Sequence, residues 1–458
     1  MKKVYVNHSS KTMVRDMTTG NVTRLLLSFA FPLFVSNALQ AVYNIVDMIV
    51  VGQYIGGAGM SAVSIGGDIL NLLTFVAMGF SSAGQVLVAR DVGSGRMDQV
   101  KKTIGTMFTF LLGISLVISV GCYFIRHDIL RWLNTPAESY EFTLDYTVTC
   151  IVGLFFIYGY NIVSAILRGM GDSRRPFLFI AIAAMLNIVL DIVFVAGCGM
   201  EVFGAALATV ISQAGSFVIS LIYLYRRKES FGFDFKLKSF RIEAVALRPL
   251  VALGIPMAIQ SAAISLSKIV LMSWINLFGV VYSALAGVYN KINVVIGIVS
   301  NSFTAAGSTM VGQNLGAKQY ERVPKILKTV GFCTILISTI FALGIVYFQD
   351  SVYQLFTSDE AVLANAYILL IPIILNFYGA ATRSIAFSLI NGSGNTKLNY
   401  AVAVLDGIIS RIGIAALLGF VVKMGCQGFW YGDALAGFIP IVIGMCYYIS
   451  WRKKYFST

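Results

Sequence analysis

The chain has 458 residues, 57% of them hydrophobic and only 12% charged, with a formal net charge of +13. Soluble domains carry roughly 25% charged residues. At a mean hydropathy of +0.80, water-soluble enzymes, nucleic-acid binders and disordered chains are poor fits, and the basic excess needs another explanation.

In chain order, the first 24 residues are polar and basic, with neither an apolar h-region nor a cleavage site, so no signal peptide is expected. Twelve apolar stretches follow, each near the ~20 residues that a helix needs to cross a bilayer. The first six lie within 25–51, 61–88, 104–125, 142–167, 177–196 and 203–225. The second six lie within 249–275, 282–310, 326–347, 362–388, 398–421 and 427–450. The expected class is an all-α polytopic membrane protein with twelve transmembrane helices.

The Lys and Arg residues set its orientation. If residues 1–24 face one side, that side receives 27 of the 34 Lys and Arg, and the other side only Arg126, Arg131 and Lys423. Such a split predicts that both termini are cytoplasmic. The +13 charge is then chiefly a topology signal in a cytoplasmic-membrane protein, and no nucleic-acid partner is expected. Cys122, Cys150, Cys198, Cys333, Cys426 and Cys446 are scattered, show no metal-ligand spacing and predict no disulfide framework.

A shift of 223–224 residues aligns the sequence with itself. Ala30-Phe31-Pro32 meets Gly254-Ile255-Pro256, and Phe80-Ser81-Ser82-Ala83-Gly84 meets Phe303-Thr304-Ala305-Ala306-Gly307. Gly93-Ser94-Gly95-Arg96 meets Gly316-Ala317-Lys318-Gln319, and Arg168-Gly169-Met170-Gly171-Asp172 meets Asn391-Gly392-Ser393-Gly394-Asn395. Shared turn chemistry explains one such block but not four at one offset. Each repeat holds six spans, so both insert the same way up, as parallel halves around a central cleft. The expected division is an N-terminal lobe over 1–225, a charged cytoplasmic linker over 226–248 and a C-terminal lobe over 249–458.

The motifs now carry a resemblance. The first span reads Pro32…Gln40-x-x-Tyr43-Asn44-x-x-Asp47-x-x-x-Val51-Gly52, and the second ends in Gly93-Ser94-Gly95. The fourth closes with Leu167-Arg168-Gly169-x-Gly171-Asp172, the fifth carries Asn187-x-x-x-Asp191, and the sixth opens Gly204-Ala205-Ala206-x-Ala208-Thr209. Over nearly its whole length the chain resembles the multidrug and toxic compound extrusion (MATE) family, most closely its DinF-like bacterial branch. The resemblance implies two six-helix lobes in a V around a central cleft. It also implies export of amphipathic, often cationic compounds, driven by sodium ions or protons flowing inward. The NorM-type branch carries acids in the seventh and tenth spans, where this chain has Ile264 and Ala380, so coupling is expected to rest on the first lobe.

The charges within spans point the same way, because a charge at mid-bilayer costs roughly 2.5–3.5 kcal/mol on insertion scales and tends to face a cavity or a partner. The acids are Asp47, Asp68, Asp191, Asp406 and Asp433, and the bases are Lys268, Lys291, Arg383 and Arg411. Asn187 and Asp191 share one helix face, and Asp47 and Thr209 fall at the same depth. Four such oxygen donors suit a hard cation, while two close carboxylates equally suit a shared proton. The set therefore reads as a sodium or proton coupling site, as a polar cluster satisfying itself, or as a substrate contact.

In the second lobe, Lys268 takes the repeat position of Asn44, and Leu271 that of Asp47. There, either Asp406 and Asp433 neutralise two of the bases, or an unpaired base on the cleft wall replaces the coupling cation's role or attracts an anionic substrate. Gln40, Tyr43 and Asn44, a turn or two from Asp47, are expected to line the cleft. Pro32 and Pro256, opening the first span of each lobe, are candidate hinges or static kinks. The Gly-x-Gly loops at 93–95, 169–171 and 392–394 lack the strand context of a phosphate cradle and read as tight turns.

An enzyme is disfavoured: only His8 and His127 are present, with no nucleophile–base set and no need of a cofactor beyond the coupling ion. A channel is disfavoured by the two parallel lobes. The alternative that remains is a flippase for lipid-linked saccharides or other lipids, which would show a strongly basic cleft. Membrane lipids and small amphipathic substrates are the expected partners, and one chain holds a complete pathway, so a monomer suffices.

Overall fold

A computed structural model describes residues 14–456; His8 and the basic residues before Val14 lie outside the described residues. Twelve helices have the length and apolarity to cross a membrane. The first six are α1 (Val22–Tyr54), α2 (Gly57–Gly93), α3 (Met97–Phe124), α4 (Ala137–Gly169), α5 (Arg174–Gly197) and α6 (Glu201–Arg226). The second six are α7 (Ala244–Asn276), α8 (Val280–Gly316), α9 (Arg322–Tyr347), α10 (Glu360–Ser393), α11 (Thr396–Val421) and α12 (Cys426–Phe456). Hydrocarbon offers no partner to a free peptide group, so helices are the form these apolar runs must take. Polar residues mark their starts: the Asn21 side chain accepts from Arg24 N at 3.0 Å, and Asn395 from Leu398 N at 3.2 Å.

The repeat is visible in three dimensions. The first helices of the two halves both have 33 residues and the second helices both have 37. Within the first lobe α1 packs on α5, and α4 on α2 and α6; in the second, α7 packs on α11, and α10 on α8 and α12. Across the lobes α1 meets α8, α7 meets α2, and α2 meets α8. These are the contacts expected of a pseudo-two-fold axis.

The inter-lobe contacts run from mid-helix toward the end that carries most Lys and Arg, here termed the basic end. Asn37 Nδ2 donates to Ser302 Oγ at 3.0 Å, and Gln85 Nε2 to Thr309 Oγ1 at 2.7 Å. Lower still, the backbones of α2 and α8 touch. A Cβ on Gly93 would lie 2.0 Å from the Gln313 carbonyl oxygen, and one on Gly316 would lie 2.1 Å from that of Arg90. The segment before α1 straps this closure: Met17 is fully buried, its N–H donates to Gln313 Oε1, its carbonyl accepts from Asn314 Nδ2, and Arg15 N donates to Met170 O. The lobes are therefore joined at the basic end and part toward the opposite end.

Two expectations change. Pro32 and Pro256 lie well inside α1 and α7 rather than at their starts, because both helices extend below the bilayer-length core of each run. The segment between α6 and α7 is more than a solvated tether. Phe231 and Phe233 are buried, Phe240 packs edge-to-face on Phe108, Thr109 donates to the Phe240 carbonyl, and Glu243 N donates to Thr106. Its period-two Phe231-x-Phe233-x-Phe235 pattern is the signal for this docking on α3. The glycine turns hold as read, with φ of +72° at Gly95, +89° at Gly171 and +65° at Gly394.

The glycine crossing makes a prediction. Gly93→Val or Gly316→Val wedges the basic end ajar, so a cysteine placed at Ser82 in the cavity gains reactivity to a membrane-impermeant maleimide added from that end. Gly113→Val, on an open helix face, does not; equal labelling of all three would contradict the closure described.

Candidate ion and substrate site

Between the lobes lies a cavity of about 690 Å³. Gln40, Tyr43, Asn44 and Asp47 line it from one face of α1, since residues three and four apart stack on a helix. Asp68 from α2 and Thr209 and Gln213 from α6 join them, and Gln260, Ile264, Thr304 and Arg383 complete the facing wall.

Behind Asp47, α5 brings Asn187 and Asp191 into the first lobe. Both are buried, as is Asp47, and Asn187 Nδ2 lies 3.5 Å from Thr209 Oγ1. Asp191 stands near enough to Asp47 to feel its charge. The structure thus brings together the four residues that depth had grouped. Asp47 Oδ1, Asn187 Oδ1 and both Asp191 oxygens are buried without a hydrogen-bond donor among the described residues, and Gln213 Oε1 shares that condition. A buried acceptor with no donor costs roughly 1–3 kcal/mol, more when charged. Five such atoms of one sign make a set that attracts a proton or a small cation. Tyr146 and Cys150 of α4, both buried, stand close enough to feel the Asp47 charge; the sequence reading missed both, since neither lies in a polar motif.

Local backbone positions Asp191. The α-helical ladder of α5 ends there, and Ile192–Gly197 form a π turn in which Cys198 N reaches Val193 O at 2.8 Å. The turn recurs in α11 at Leu417–Val421, where Val422 N reaches Leu417 O at 2.8 Å. Insertions of this kind re-aim side chains and cluster at functional sites.

The second lobe answers the same geometry with opposite chemistry. Shifting by 224 places Arg411 on Asn187, Asp433 on Thr209 and Ala415 on Asp191. Arg411 is buried, donates to Asp433 and lies 3.5 Å from Asp406. Arg383 donates to Asp406 at 2.9 Å, and Tyr289 and Asn376 donate to the free Asp433 oxygen at 3.0 and 3.2 Å. Two guanidinium groups and two carboxylates thus pair with one another beside Lys268, while Asp406 Oδ2 and the Nε atoms of Arg383 and Arg411 stay buried without a partner among the described residues. Tyr289 and Asn376 were not anticipated; the 224 offset marks Asp433 as a site equivalent, from which its partners could have been sought.

Lys268 and Lys291 have no ion pair among the described residues. Lys268 lies on the α7 face that carries Gln260, Ser261 and Ile264, but one turn beyond them and exposed. Its ammonium lies within charge-interaction range of Asp433, Arg411 and Arg383, the last of which lines the cavity.

The fold, with its twelve spans and doubled interior, defines a multi-pass membrane transport protein. The profile of the MatE family matches residues 32–193 and again 256–417, at the same offset of 224, and the chain belongs to that family. It is 27% identical over 442 residues, 95% of each chain, to the "Probable multidrug resistance protein YoeA" of Bacillus subtilis (strain 168). It is also 29% identical over 310 residues to the "Probable multidrug resistance protein YpnP" of the same organism, covering 67% of this chain and 68% of that one. Among solved structures, an "Outward-facing conformation of a multidrug resistance MATE family transporter of the MOP superfamily" superposes with a TM-score of 0.90 at 18% identity, covering 98% and 99% of the two chains.

Removing one partner from a buried ionic network costs roughly 3–5 kcal/mol, because the other charge stays behind. Arg411→Ala is expected to lower the melting temperature of detergent-purified protein strongly, and Arg411→Met with Asp433→Leu to recover most of the loss. Melting of Arg411→Ala at the wild-type temperature would contradict the network.

Proposed function

We propose that the protein exports amphipathic, cationic small molecules across the cytoplasmic membrane, coupled to inward flow of sodium ions or protons. The observation that carries this reading is the pair Asp47 and Asp191, buried in the first lobe without a counter-charge among the described residues. Two carboxylates held together in a low-dielectric setting need a cation or a proton between them. Asp47 and Thr209 reach the cavity wall while Asn187 and Asp191 stand behind it, so occupancy of the site communicates with the substrate space through α1. Pro32 in α1 is the hinge, since it removes one rung of the hydrogen-bond ladder, and Pro256 is its counterpart in α7. The names of the Bacillus relatives support multidrug export as the family role.

With both termini in the cytoplasm, as the Lys/Arg asymmetry favours, the closed basic end faces inward and the cavity opens outward. Ion binding from outside then accompanies substrate release, and the inward-open state completes the exchange. Both lobes come from one chain, so a monomer is the working unit. The lipid flippase reading is less well supported. It called for a strongly basic cleft, whereas Arg383 and Arg411 are tied to Asp406 and Asp433.

Asp47→Asn and Asp191→Asn are expected each to abolish gradient-driven efflux of a cationic dye from proteoliposomes while leaving melting temperature unchanged or higher. Imposing sodium and proton gradients separately identifies the ion. Wild-type efflux by both variants under either gradient would remove the coupling assignment.

A further inference from the structure

We propose that the cavity floor holds an oxyanion subsite built on Arg168, which accepts the carboxylate or phosphate group of an amphipathic substrate. The proposal rests on the export reading and narrows its substrate class: transported molecules carry an anionic group as well as their apolar and cationic parts.

Arg168, near the end of α4, lines the cavity. Its Nε donates to Gln85 Oε1 at 2.8 Å. The Gln85 amide cannot turn away, because its Nε2 already donates to Thr309 Oγ1 at 2.7 Å and to Ala305 O at 3.3 Å. The guanidinium is therefore held by one edge from a fixed oxygen that is itself tied to the other lobe. Its two terminal nitrogens make no hydrogen bond or ion pair among the described residues. A planar fork presented in this way fits an oxyanion bidentately.

The surrounding charges leave this cation uncompensated. On α2, Asp68 and Gln85 both line the cavity but are 17 residues apart, about 25 Å along a helix. Arg383, the other cation on the cavity wall, already has Asp406 at 2.9 Å. Asn391, which takes the repeat position of Arg168, lines the same floor with its Oδ1 buried and lacking a donor, and its amide N–H groups donate to nothing within the described residues. One repeat thus supplies a charge and the other a neutral donor, on a floor where the lobes meet. An oxyanion seated there would touch both lobes at their closure.

The test uses a rhodamine free acid and its methyl ester, which differ only in the carboxylate, with binding to purified protein read by fluorescence anisotropy. The acid-to-ester affinity ratio is expected to fall about tenfold in Arg168→Gln, the scale of one charge-assisted hydrogen bond, and to be partly restored in Arg168→Lys, which keeps the charge but not the fork. The same change should appear in Asn391→Leu to a smaller degree. An unchanged ratio in Arg168→Gln, or an equal loss of both dyes in Gln and Lys variants alike, overturns the subsite and makes Arg168 a structural latch. Ester binding with no acid binding to the wild type overturns the subsite alone, while failure of both dyes to bind overturns it together with the drug-export reading.

Discussion

A charge inside an apolar bundle has to be answered by something, and the two lobes answer it differently. The second lobe pairs Arg383 and Arg411 with Asp406 and Asp433, to which Tyr289 and Asn376 also donate. The first lobe leaves Asp47 and Asp191 without such an answer. The repeat makes the contrast direct, because Arg411 and Asp433 stand where Asn187 and Thr209 stand. Equivalent positions of the two repeats thus carry paired charges in one half and, in the other, buried oxygens without donors among the described residues.

Closure at the basic end depends on contact without side chains. Gly93 and Gly316, equivalent in the two repeats, let α2 and α8 cross with backbone against backbone. The Gln85, Gln313 and Asn314 side chains then knit the lobes through amide groups, which form and break more easily than ion pairs. Neutral hydrogen bonds of this kind strand no charge when they part.

Much of this was legible in the sequence, because the bilayer reduces the choices available to the backbone. Twelve spans followed from hydropathy alone, and the repeat from a single offset. Asp47, Asn187, Asp191 and Thr209 were grouped by depth and helix face, and the structure places them together. What escaped were features set by packing across helices. The partners of Asp433 come from α8 and α10, remote in sequence. The π turns that follow Asp191 and recur in α11 leave no compositional mark. Lys268 shares a face with cleft residues, but its nearness to Arg411 and Asp433 comes from packing against α11 and α12, which no single helix encodes. Arg168 was visible only as part of a turn motif, because its lack of a counter-charge is a property of the whole floor.

The segment between the lobes has one more consequence. From Phe231 to Glu243 it is fastened to α3 by aromatic packing and by hydrogen bonds to Thr106 and Thr109, and α7 begins at the next residue, Ala244. Mechanically, those residues belong to the first lobe. The Glu243 carbonyl also accepts from Ala246 N and Leu247 N, so the fastened segment runs into α7 without a gap. The two lobes are thereby tied closely at one margin of the molecule, and the long covalent connection serves as a mount, not a leash.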